Sequence, residues 1–81
     1  MTNDVLREYE YWLRAAHLDT KRWELERSPA AQSLYLNLVV SSLTRALVSA
    51  NKLNDRDRRA YCMRNLGRAR ALLNRIERSA A

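Results

Sequence analysis

Few side chains in this sequence could carry acid–base, nucleophilic or metal chemistry, and those few are not spaced to work together. His17 is the only histidine. It falls at the edge of an apolar helical arc with no cysteine or carboxylate at metal-ligand spacing, which predicts a structural side chain and no metal site. Cys62 is the only cysteine. Its arginine neighbours could lower a thiol pKa, but the helical period turns it inward, where a thiol is inert. Asp55 and Asp57 stand at a predicted helix start, where acids meet the positive end of the helix dipole, so they read as capping residues and not as a catalytic pair. The chain has no glycine-rich phosphate loop, nucleophile elbow or HExxH-type motif. The expectation is a protein that is not an enzyme and takes no cofactor or metal.

The remaining chemistry is ionic. The stretch RRAYCMRNLGRARALLNRIER, residues 58 to 78, holds seven arginines and one acid, Glu77. On a helix Arg64, Arg68 and Arg75 share one side, a line about 21 Å long to Arg78 at 1.5 Å per residue. Like charges one turn apart destabilise an isolated helix by about 0.2 to 0.5 kcal/mol per pair, so an external acidic surface would relieve the line. Arg75 and Arg78 also suit the negative end of the helix dipole, and Arg58 and Arg59 share the first turns with Asp55 and Asp57. The partner-binding candidates are Arg64, Arg68, Arg70 and Arg75, whose guanidinium forks fit carboxylates or phosphates.

The whole net charge of +6 lies in this half of the chain. Residues 1 to 51 carry six bases and six acids, whereas residues 52 to 81 carry nine bases and three acids. In the first half opposite charges sit at helical spacing, Asp4 with Arg7 and Glu10 with Arg14, as on a solvated face that neutralises itself.

These residues need elements to hold them, and the apolar period of i, i+3, i+4 runs almost throughout. It predicts an all-α fold, a single domain over 1–81 built as a three-helix antiparallel bundle with helices at about 4–27, 29–50 and 55–78. Asn3 or Asp4 would cap the first helix, Ser28 and Pro29 start the second at N-cap and first helical position, and Asn54 or Asp55 caps the third. NKLND, residues 51 to 55, forms the second turn. Gly67 falls inside the third helix off its inward arc, where it costs roughly 0.5 to 1 kcal/mol relative to Ala unless a close helix crossing or a ligand needs the space.

Two apolar lines have no place in a monomeric core. Tyr11, Leu18 and Leu25 recur every seven residues opposite the core arc of the first helix, flanked by Arg7, Arg14 and Arg22. Leu34, Leu38 and Val48 lie on the reverse of the second helix, whose only charge from Ser28 to Asn51 is Arg45. A helix apolar nearly all round needs covering nearly all round. These six residues are the expected seam of a homodimer or of a partner. The uncharged run Ser28 to Thr44 falls short of the ~20 apolar residues of a bilayer span and is broken by Gln32, Ser33, Asn37, Ser41 and Ser42, so no membrane role is expected. The lone cysteine and the charged N-terminal sequence predict a cytoplasmic, reducing compartment.

The functional expectation is a small interaction module of regulator, inhibitor, adaptor or chaperone type. It would bind a protein partner with an acidic surface through the apolar lines and the arginine-rich helix. The alternative is weak, largely sequence-nonspecific nucleic-acid binding by the basic helix of a dimer. No short helix, tight turn and polar recognition helix supports a helix-turn-helix, because the second helix is long and apolar.

Overall fold

The computed structural model describes residues 2–80 and contains three α-helices, α1 (Thr2–Leu25), α2 (Pro29–Lys52) and α3 (Arg56–Ala80). The middle helix packs against both others, whereas among the described residues no Cα of α1 comes within 8 Å of one in α3. The helices therefore form an opened bundle with α2 at its spine.

Local chemistry explains each boundary, and several differ from the expected ones. Helix α1 begins at Thr2, so Asn3 and Asp4 lie inside its first turn and do not cap it. It ends at Leu25, two residues before the expected Arg27, with the Glu26 amide donating to the Trp23 carbonyl at 3.2 Å. The residue before a proline is pushed out of helical geometry, and Ser28 is extended at ψ 128°. Its hydroxyl accepts from the Ala31 amide at 3.5 Å. The Gln32 side-chain amide reaches back to the Glu26 carbonyl at 2.9 Å and ties the two helix ends together.

Helix α2 runs to Lys52, two residues past the expected end, because a left-handed residue closes it. Asn54 has φ 54°, the conformation that Asn tolerates better than most non-glycine residues. The Asn54 amide donates to the Asn51 carbonyl at 3.0 Å and the Asp55 amide to the Ala50 carbonyl at 3.1 Å, the paired bonds of a Schellman closure. Asn54 is thus spent on ending α2, and Asp55 alone caps α3. Its carboxylate accepts from the Arg58 amide at 3.0 Å and pairs with the Arg58 guanidinium. These two donors hold the Asp55 carboxyl below its ordinary pKa.

The core is two clusters, each drawing on all three helices. One joins Ala16 with Val39, Leu43, Leu66 and Ala69. The other joins Tyr9 with Ala46, Ala50 and Cys62. Ala46, Ala50 and Cys62 are completely buried, and their small size lets α2 approach its neighbours closely. Cys62 is a free thiol inside this contact.

Gly67 is not required by a close helix crossing. A Cβ built there would meet nothing within 4 Å, and the residue is exposed. Gly67→Ala is expected to raise stability by about 0.5 to 1 kcal/mol, since only the backbone entropy changes. Urea unfolding at fixed protein concentration checks this, and a loss of stability would contradict the open surroundings.

Candidate functional site

Because α1 and α3 diverge over α2, a groove of ≈ 190 Å³ opens between them. Leu36, Val39 and Leu43 of α2 form its floor. The α1 wall is Ala16, His17, Thr20 and Trp23, and the α3 wall is Tyr61, Asn65, Arg68, Ala69 and Leu72. On α3 the residues 61, 65, 68 and 72 follow the 4-3-4 spacing of a seam meant for another helix, and residues 16, 20 and 23 do the same on α1.

Polar atoms in the groove are held by their own helices. The Thr20 hydroxyl donates to the Ala16 carbonyl at 2.8 Å, and the Asn65 amide donates to the Tyr61 carbonyl at 2.8 Å. His17 Nε2 and the Tyr61 hydroxyl, 3.2 Å apart, are hydrogen-bonded across the groove. The Trp23 indole N–H differs: it is buried and has no hydrogen-bond partner among the described residues. A buried donor without an acceptor costs free energy.

The four arginines chosen from sequence divide. Arg68 lines this groove. Arg64 lies one turn from it on the same side of α3, Arg75 borders two shallow depressions near the helix end, and Arg70 is exposed on another face. Ion pairs within 4 Å join only Arg22 to Asp19 and Arg58 to Asp55 among the described residues. The four arginines accordingly have no carboxylate partner there. The expected pairs Asp4–Arg7 and Glu10–Arg14 are not formed either, since exposed ion pairs gain little over separate hydration.

All six residues of the expected seam are exposed, from 42% for Leu38 to 83% for Leu25. Tyr11 and Val48 line one outer groove between α1 and α2 together with Arg7, Trp12 and Arg45. There the Arg45 guanidinium lies 4.4 Å from the centre of the Trp12 ring, and Tyr11 meets Trp12 edge-on at 4.9 Å. The helical period of α1 turns Trp12 toward the core side and by itself gives Arg45 no partner. The one signal for their pairing is that Arg45 is the sole charge on α2 before Lys52, within reach of an aromatic ring across the helix pair.

Residues with reactive potential are quiet. Burial raises the Cys62 thiol above its ordinary pKa, opposite to what a nucleophile needs. Burial, with the Cys62 thiol beside it, pushes the Tyr9 phenol from 10.0 up to about 12. The unfolded chain therefore ionises Tyr9 first, and stability that is intact below pH 10 falls as pH rises toward 12. Ultraviolet titration is expected to show one of the four tyrosines ionising late, and Tyr9→Phe should remove that late step. A single transition for all four would refute it. Among the described residues no group of three or more His, Cys, Asp or Glu is placed to hold a metal.

By length and composition α2 could cross a bilayer, with a mean hydropathy of 1.2 over its best window. Its place between α1 and α3 gives that apolarity a use within the fold. No family model matches the chain, and neither a curated protein nor a solved structure matches it.

Proposed function

We propose that the protein is a non-enzymatic interaction module that self-associates as a two-fold dimer and binds a partner protein with an acidic surface. The observation that carries this reading is the exposure of seven large apolar residues, six of them on the outer sides of α1 and α2. Patches rich in aromatics and arginine are where interface energy concentrates, and the Tyr11, Trp12 and Arg45 stack is of that kind.

The reading takes adjacent helices as antiparallel. Tyr9 packs with Ala46 and Ala50, and Ala16 packs with Val39 and Leu43. Extending that register sets Tyr11 beside Val48, Leu18 near Leu38 and Leu25 near Leu34. The two lines then merge into one apolar face across the helix pair. Laid against its own copy about a two-fold axis, this face gives a four-helix layer, the simplest way for a surface to satisfy itself. The arginines of α3 remain free for the partner, in a cytoplasmic setting.

Mass-resolved chromatography of the purified protein, run with and without nuclease and at high salt, tests this. A mass of twice the chain in every condition is expected. A monomer at all concentrations would remove the dimer. A species whose excess mass disappears with nuclease or salt would favour the second reading, nucleic-acid binding. That reading is supported by the unpaired arginines on α3, and it requires affinity for duplex DNA or RNA to fall steeply between low and moderate salt.

A further inference from the structure

We propose that the groove between α1 and α3 is the docking site for an amphipathic helix of the partner protein, about three turns long and carrying a carboxylate set against Arg68. The proposal rests on the protein-interaction reading above and names the chemistry of the partner.

The shape of the groove selects a helix. Its α3 wall runs from Tyr61 to Leu72, about 16 Å or three turns. Side chains at 61, 65, 68 and 72 face those at 16, 20 and 23 across a gap in which no Cα of α1 lies within 8 Å of α3. Helices in contact sit about 8 to 10 Å apart between axes; α1 and α3 each pack along α2, whereas with one another they share only side-chain contacts, such as His17 with Tyr61 and Tyr9 with Arg58. A fourth helix laid between them would pack on both walls and close the bundle.

Backbone chemistry points the same way. Along α1 and α3 the N–H and C=O groups of the helix interiors bond within their own helices. An extended peptide would find no ladder to join and would bring its own backbone groups unsatisfied into an apolar cleft, whereas a helix arrives with them paired.

The polar groups fix the sign of the partner. The Arg68 guanidinium has no carboxylate within 4 Å among the described residues, and the Trp23 indole N–H is buried without an acceptor. Both are donors, but only Arg68 is open to an occupant, the indole N–H being shielded, so it is the Arg68 side that calls for an acceptor. Arg64 and Arg75 lie on the same side of α3 and extend the positive field along the docked helix. The acids nearby, Glu10, Asp55 and Asp57, gather instead with Arg58 in a separate depression that also includes Tyr61. The His17–Tyr61 hydrogen bond lies between that mixed-charge end and the basic end. The preferred partner helix thus has its acidic positions facing Arg68 and apolar ones facing Leu72 and the α2 floor.

The test displays a library of helical peptides of about 14 residues, long enough to exceed three turns, and selects it against the full chain. Two leucines one turn apart are fixed and the flanking positions are randomised. Enrichment of Asp or Glu at one register position is expected. In nitrogen-15 NMR spectra a synthetic winner should move the Trp23 indole N–H resonance and leave that of Trp12 in place. Arg68→Glu should weaken the acidic peptide roughly tenfold and enrich Lys or Arg in a repeated selection. Arg68→Gln, with circular dichroism unchanged, should weaken it without inverting the preference. No enrichment, or enrichment indifferent to charge, overturns the proposal. Shifts at Trp12 and Val48 with Trp23 unmoved overturn the groove assignment but leave the interaction reading standing. A DNA duplex that moves Trp23 when no peptide is enriched overturns both.

Discussion

Leu43→Ala is expected to lower the unfolding free energy by about 3 kcal/mol, within the 2 to 5 kcal/mol usual for a buried leucine truncated in a packed core. Leu43 is 3% exposed and sits in the cluster that joins Ala16 of α1 to Leu66 and Ala69 of α3. The lost methyl groups leave a void that three separate helices would have to move to fill, so little relaxation is available. A domain of this size holds only about 4 to 12 kcal/mol in total, and the substitution removes a quarter or more of it. Urea unfolding at one fixed protein concentration should show a lower midpoint with an unchanged slope. Holding the concentration fixed matters because a dimer's stability depends on it. Leu72→Ala, at a half-buried position on the groove wall, should cost clearly less. A Leu43→Ala loss below about 1 kcal/mol would mean that the three helices do not share one core.

The second large effect concerns self-association. Leu18→Glu combined with Leu38→Glu is expected to weaken the proposed dimer more than hundredfold while leaving the helical circular dichroism unchanged. Both side chains are exposed, 52% and 42%, so the protomer loses no buried contact. In a two-fold interface each substitution occurs twice, so four carboxylates would be brought into an apolar contact without partners. Burying an unpaired charge costs several kcal/mol, and roughly 2.8 kcal/mol already corresponds to hundredfold. Sedimentation equilibrium over a range of concentrations reads the result. If the doubly substituted protein keeps the parent's mass, the α1–α2 face is not the dimer interface. Replacing Arg64 and Arg70 with Glu serves as the control, because neither side chain belongs to that face.

Much of the architecture is legible in the sequence, for local reasons. A turn polar at Asn51, Lys52, Asn54 and Asp55, a serine ahead of a proline and a steady apolar period set the number of helices and their inward residues. Boundaries moved by one or two residues wherever a single hydrogen bond decided them. The Asn54 left-handed closure extended α2, and the extended Ser28 shortened α1. Both depend on dihedral choices that composition leaves open. Exposure of the six seam residues was likewise legible, because a wheel separates the two sides of a helix. The proposal that they share one face rests on the register of α1 against α2.

The groove was not legible in the same way. Arg68 stood out for its charge, but nothing in the local pattern set Tyr61, Asn65 and Leu72 against Ala16, Thr20 and Trp23. Their heptad-like spacing on each helix was a readable signal, masked because Tyr61 and Leu72 also count as core residues on a wheel. By itself the sequence determined three amphipathic helices, the Ser28–Pro29 start of the second and an inward cysteine position, because each follows from near neighbours in the chain, and it placed the net positive charge in the last thirty residues. Tertiary structure alone decided that α1 and α3 stand apart on α2, that Arg45 stacks on Trp12 and that Trp23, its indole N–H buried without a partner, stands in the wall of a groove. Those depend on how Ala46, Ala50 and Cys62 let helices approach at one place while bulkier Trp23, Tyr61 and Leu72 line the gap at another. That is a sum of contacts between residues far apart in the chain, which no single helix encodes.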